Sequence, residues 1–172
     1  MISAGPQIEG LSVSVFTVPT DAPEADGTFD WTATTVVMVE AAAGGTTGLG
    51  YSYADAAAAT LISTTLAPAV RGIDALSTHA AWTAMTRAVR NAGRPGVGST
   101  AIAAVDAALW DAKGRLLGVS VADLLGLARD RVPVDGSGGF TSYSLDQLQS
   151  QLRSWVAAGV GRVKMKIGRD AA

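Results

Sequence analysis

The chain has 172 residues, of which 48% are hydrophobic and only 16% charged, and its net charge is -2. That balance excludes a disordered polyelectrolyte, and the 13 Lys and Arg are scattered, with no basic run to track a phosphate backbone, so no nucleic-acid partner is expected. The absence of Cys excludes disulfides, thiolate catalysis and Cys-ligated metals, and a single histidine, His79, leaves little for imidazole metal sites or His-based triads.

The opening "MISAGPQIEG" lacks the basic region and apolar core of a secretory signal. The most apolar long stretch, residues 54–70, is interrupted by Asp55 and Pro68 and is mostly Ala, Thr and Ser. A cytoplasmic protein with no membrane partner is therefore expected.

The first third reads as β-structure. Residues 8–19 and 29–41 are rich in Val, Thr and aromatics, and residues 47–53 supply a shorter third strand. Between the first two lies "TDAPEADGT", residues 20–28, whose Pro, Asp and Gly predict a long, mobile, acidic connection; "AAAGGTTG" predicts a tighter turn, and with it an antiparallel meander. Helices follow. Asp55 is placed to cap one that ends at Pro68, Asp74 one that stops near residues 91–93, and Ser99 or Thr100 one through "AIAAVDAALWDAKGRLLG", where Ile102, Val105, Leu109 and Leu116 form an apolar stripe. A short helix through Val121, Leu124 and Leu125 ends at Gly126.

From Val132 the pattern becomes strand, helix, strand: "VPVDGSGGF", then "SLDQLQSQLRSWVAAG" with Ser144 as cap, then "VGRVKMKIG". A helix of that length between strands predicts a parallel pair joined by a crossover, and such a pair needs more strands to bury its faces.

Three motifs bear on chemistry. The glycines of "GSGGF" follow a strand, as phosphate cradles do, but neither the GxGxxG spacing nor a P-loop lysine is present. Asp106 and Asp111, five residues apart on a helix, point in different directions, which suits salt bridges better than a catalytic pair. Lys164 and Lys166 share one face of the last strand, opposite Val163, Met165 and Ile167. Two readings fit them. Exposed lysines guard a sheet edge; inward lysines at the C-terminal end of a parallel strand stand where α/β barrels keep their chemistry, and two neighbouring ammonium groups favour one neutral, proton-accepting amine.

The order of these pieces carries more than any one of them. A three-stranded meander, a helical part containing "AIAAVDAALWDAKGRLLGVSVADLLG", then "VPV", a crossover helix and "VKMKIG" resembles the enolase superfamily, in its mandelate racemase and muconate lactonizing enzyme branch. The resemblance runs from about Ile8 to Gly168. It implies an α+β capping domain over residues 1–131, with a three-stranded antiparallel meander followed by a helical bundle. This leads into the first β-α-β of an incomplete (β/α) barrel over residues 132–172.

By the same resemblance Lys166 is the general base that takes the proton α to a substrate carboxylate, and Lys164 lowers its pKa and steadies the enolate. Residues 19–30 become a mobile lid loop, Tyr53 lines the substrate pocket, and Asp106, Trp110 and Asp111 are structural. The implied substrate is a small carboxylate, an acid sugar or 2-hydroxy acid, undergoing racemisation, epimerisation or loss of water. Mg²⁺ is the implied cofactor of the full-length enzyme, bound by three carboxylates on later barrel strands, so no metal ligand is expected within this chain. A homo-oligomer is expected because relatives form symmetric assemblies. A complete barrel takes about 250 residues, so the chain reads as the front part of such an enzyme and is expected to be inactive alone. The alternative is a truncated, non-catalytic paralogue that acts by association.

Overall fold

The computed structural model describes residues 5–169. Three strands form one antiparallel sheet in the order β1-β2-β3: β1 Ile8–Ala25, β2 Asp30–Ala43 and β3 Thr46–Tyr53. The β2–β3 hairpin closes on Gly44 and Gly45, whose φ of 55° and 76° are those a two-residue hairpin turn demands. It sets Ala43 opposite Thr46 and Val36 opposite Tyr53.

The connection predicted to be long and mobile is instead strand. β1 continues through Ala25, and only residues 26–29 turn the chain. Proline is the reason the sequence misleads: Pro19 and Pro23 lie four residues apart on β1, so both missing N–H groups fall on the same side of the strand. Because β1 is an edge of the sheet, that side can face away from β2 without losing a ladder bond. Asp26 then makes the turn, its Oδ1 accepting from the Thr28 amide at 2.7 Å, the Phe29 amide at 2.9 Å and the Thr28 hydroxyl at 3.0 Å.

By its internal contacts the chain divides into two units, residues 1–17 with 35–127 and residues 18–34 with 128–172. The first packs the lower part of the sheet against helices. α1 (Ala57–Leu61), a π-helical segment (Ile62–Leu66) and α2 (Ala67–Val70) form one continuous helical run. Pro68 therefore does not end the helix as predicted. The wider π turn immediately before it lets the chain pass a residue that cannot donate to the preceding turn. α3 (Thr78–Ala88) starts after Ser77 rather than at Asp74, whose side chain accepts from the Leu76 amide at 2.9 Å, and it ends a few residues before the expected stop.

α4 (Val97–Leu117) starts two residues ahead of Ser99, because Gly96, at φ 74°, turns the chain into it. Its buried positions Ala101, Ala104, Val105, Ala108, Leu109 and Ala112 recur every three or four residues and make one face. With Ile8, Val37, Val39, Ile62, Leu66 and Met85 they form the core of this unit. Small residues on both sides bring helix and sheet unusually close: a Cβ on Gly50 would lie 2.2 Å from the Ala104 carbonyl oxygen, and one on Gly48 2.2 Å from that of Ala108. The short helix α5 (Val121–Leu125) ends at Gly126 as predicted. No helix among the described residues is long and apolar enough to cross a membrane.

In the second unit, β4 (Asp135–Ser137) and β5 (Arg162–Lys164) pair in parallel, with Ser137 opposite Lys164, and α6 (Leu145–Ala157) is the crossover between them. Both strands are shorter than the sequence suggests. Ser144 caps α6 with a full capping box: its hydroxyl accepts from the Gln147 amide at 3.3 Å, and Gln147 accepts from the Ser144 amide at 2.9 Å.

Candidate active site

The glycine run after β4 is consumed by packing. A Cβ on Gly136 or Gly138 would strike the Trp155 ring at 2.5 and 2.8 Å, and one on Gly139 would lie 2.6 Å from the Met165 Cβ. Its amides are occupied as well: Gly138 donates to the Lys164 carbonyl at 3.2 Å and Gly139 to Gln151 Oε1 at 2.8 Å. Nothing is left to cradle a phosphate. The glycines let α6 lie close on the strands.

Lys164 is the last residue of β5 and its side chain is exposed. Lys166 lies just beyond, where its amide donates to the Gly139 carbonyl at 2.9 Å and so continues the parallel pairing past the formal end of the strand. Its side chain is half-buried, whereas its neighbours Met165 and Ile167 are 51% and 76% exposed. Of the two lysines, then, Lys166 is the more enclosed.

Around this strand end the tip of the β1–β2 hairpin is fastened by side chains that the sequence reading did not single out. Thr141 donates from its amide to the Ala25 carbonyl and from its hydroxyl to the Asp26 carbonyl, both at 2.9 Å, and the Ser142 hydroxyl donates to the Pro23 carbonyl at 2.6 Å. Trp31 meets Phe140 edge-on at 5.5 Å while its Nε1 donates to Glu24 at 2.6 Å. Arg169 grips both oxygens of Asp30, Nη2 to Oδ2 at 2.8 Å and Nη1 to Oδ1. Gly27 lies against the backbone beyond Lys166, where an added Cβ would be 3.0 Å from the Ile167 carbonyl oxygen. Only the D-G-T turn signal hinted at any of this; the partners lie more than a hundred residues away in sequence.

The Asp26 carboxyl is held below its ordinary range, chiefly by the hydrogen bond from the Thr28 amide, then by those from the Phe29 amide and the Thr28 hydroxyl; the charge of Lys166 acts in the same direction.

Tyr53 belongs to the other unit, at the end of β3, 70% exposed and edge-on to Tyr51 at 6.1 Å. Asp111 accepts from the Leu49 amide and from Arg115 Nε, each at 2.8 Å, and so joins α4 to β3. Asp106 accepts no hydrogen bond among the described residues and borders a cavity of about 220 Å³ with Thr78, His79, Trp82 and Trp110. Burial pushes its carboxyl above the ordinary range.

A raised carboxyl pKa means the folded protein holds that proton more tightly than the unfolded chain, so stability falls as pH rises above the ordinary carboxylate value. Asp106→Asn is accordingly expected to raise the melting temperature at pH 7 and to leave it unchanged near pH 3. Thermal unfolding at the two pH values checks this, and an equal shift at both would assign the effect to something other than the charge.

Among the described residues no three His, Asp or Glu side chains converge as a metal site requires. The residues present do not by themselves fit a bound Mg²⁺.

The N-terminal-domain model of the mandelate racemase / muconate lactonizing enzyme family matches residues 12–126. The chain belongs to this family. It is 32% identical over 170 residues to a 3,6-anhydro-alpha-L-galactonate cycloisomerase of Streptomyces coelicolor, an alignment covering 94% of this chain and 46% of that protein. Among solved structures, a mandelate racemase/muconate lactonizing enzyme-like protein from Rubrobacter xylanophilus superposes with a TM-score of 0.94 at 56% identity, over 96% of this chain and 46% of that one. The L-talarate/galactarate dehydratase of Salmonella typhimurium, liganded with Mg and L-lyxarohydroxamate, gives a TM-score of 0.84 at 28% identity over 96% and 45%. The chain thus spans less than half the length of the relatives it matches. Its three-stranded antiparallel sheet, helices and parallel strand pair are the family's N-terminal capping domain and the start of its barrel.

Proposed function

We propose that this chain is the N-terminal part of a Mg²⁺-dependent enzyme that removes the proton α to the carboxylate of an acid sugar or 2-hydroxy acid, leading to racemisation, epimerisation, cycloisomerisation or loss of water. Residues 1–131 are the cap and residues 132–172 begin the barrel, and the protein works in the cytoplasm as a homo-oligomer. The observation that carries the reading is the half-buried Lys166 at the end of the second parallel strand, two residues from the exposed Lys164. In a barrel, that end of a strand is the active-site face.

Lys166 takes the proton and Lys164 helps hold the negative charge that develops on the substrate. Tyr53 lines the substrate pocket. Mg²⁺ would supply electrophilic stabilisation of the carboxylate; among the described residues no three His, Asp or Glu side chains are placed to hold it. The relatives' names, a galactonate-derived cycloisomerase and a talarate/galactarate dehydratase, support the acid-sugar class.

The test is α-proton exchange. The full-length protein, with Mg²⁺, is expected to wash deuterium from D₂O into the α-position of at least one of a panel of six-carbon and five-carbon acid sugars, read by ¹H NMR. No exchange with any of them, from a protein that binds them, would sink the proposal.

A further inference from the structure

Helices α3 and α4 pack together within the first unit and leave between them the cavity of about 220 Å³ bordered by Thr78, His79 and Trp82 of α3 and by Asp106 and Trp110 of α4. A second cavity, of about 270 Å³, shares Trp82 and Asp106 with it, so Asp106 stands where the two meet. Two polar groups at the first cavity are unused. Asp106 is half-buried, yet it accepts no hydrogen bond and forms no ion pair among the described residues. The Thr78 hydroxyl makes no hydrogen bond among them either, although the residue is only 4% exposed. Unmatched acceptors at a partly buried site cost free energy that a ligand carrying donors recovers.

The walls are aromatic. His79 lies parallel to Trp82 with ring centroids 6.1 Å apart. Both indoles already receive cations from residues that do not border this cavity: the Arg94 guanidinium carbon is 5.5 Å from the Trp82 centroid, and Lys113 Nζ is 5.1 Å from that of Trp110. No Lys or Arg borders the cavity itself, and the start of α3 at Thr78 adds only about half a positive charge, too little to offset a carboxylate. Such a site favours a cation and disfavours an anionic acid sugar.

We propose that the α3–α4 cavity binds a primary alkylammonium ion, with Asp106 and Thr78 accepting from its N–H groups and Trp82, Trp110 and His79 packing around its charge and first methylenes. A quaternary ammonium suits the rings but has no donor for the two acceptors. The cavity is smaller than the roughly 300 Å³ at which sites for drug-sized molecules begin, so it takes the end of an aliphatic amine and not a larger ring system. The inference stands apart from the assignment of Lys166 as a base.

The test is a titration of the full-length protein with n-butylammonium chloride at constant ionic strength, read by saturation-transfer NMR on the ligand. Saturable binding is expected. Asp106→Asn keeps the shape, removes the charge and is expected to fold at least as stably at pH 7; it should weaken binding roughly tenfold or more, as loss of a charge-assisted hydrogen bond does. Thr78→Val, which removes the hydroxyl at nearly constant volume, should weaken it roughly threefold or more. Tetramethylammonium is expected to bind more weakly than n-butylammonium, and acetate not to compete with it. No saturable binding by the wild-type protein overturns the proposal, and so does unchanged affinity in Asp106→Asn, which would place the amine elsewhere. Tetramethylammonium binding as tightly as n-butylammonium overturns it too, because the two acceptors would then have no part in recognition.

Discussion

Lys166→Ala in the full-length protein is expected to lower exchange of the substrate's α-proton by a factor of about a hundred to ten thousand, the range over which a positioned general base accelerates proton transfer. The substrate's Kd is expected to change far less, because an amine that takes a carbon-bound proton contributes mainly in the transition state. Two carboxylates near it are not free to replace it. Glu24 and Asp30 are already engaged by Trp31 and Arg169, and His79 belongs to the first unit. Lys164→Ala is expected to have the smaller effect, since that side chain is exposed whereas Lys166 is half-buried. Exchange measured in D₂O under single-turnover conditions separates the chemical step from product release. Wild-type exchange in Lys166→Ala would remove the base assignment and return both lysines to the role of guarding a sheet edge.

How far the sequence reaches is clear from particular residues. Local signals read correctly: Gly44-Gly45 between two β-rich runs is a hairpin, and Ser144 caps a helix. Signals whose meaning depends on a distant partner did not. Pro19 and Pro23 look like loop residues until β1 is known to be an edge, and Pro68 looks like a helix stop until the π turn before it is seen. The glycines of "GSGGF" lack the spacing of an anion loop, but what they are for does not show in the sequence either: it is Trp155 and Met165 that need the space. The site divides in the same way. The lysine pair is visible as spacing, whereas the turn at Asp26 and the carboxylate of Asp30 find their partners only when the chain returns with Thr141 and Arg169, and no composition or period encodes that return.

The same dependence on distant partners makes one glycine in the cap decisive. Gly50→Ala is expected to destabilise the protein by about 3 kcal/mol or more, at or beyond the upper end of ordinary overpacking. The cost is not conformational, because Gly50 does not adopt a positive φ. It is a matter of space: the new Cβ would lie 2.2 Å from the Ala104 carbonyl oxygen and 2.4 Å from the Ala108 amide nitrogen, both main-chain atoms of α4. A flexible side chain could swing aside; a helix backbone has to move as a body, and α4 carries Val105, Ala108 and Leu109 into the core with it. Trimming Ala108 to Gly should therefore fail to rescue the variant, since the clash is with the backbone and not with the alanine methyl. Gly10→Ala on β1 is the control, for nothing lies within 4 Å of its Cβ and no comparable loss is expected. With roughly 2 to 4 °C per kcal/mol for a domain of this size, the melting temperature of Gly50→Ala should fall by about 10 °C. A fall of only a degree or two would mean that α4 and β3 separate easily. The close approach of helix to sheet would then be incidental to the stability of the cap.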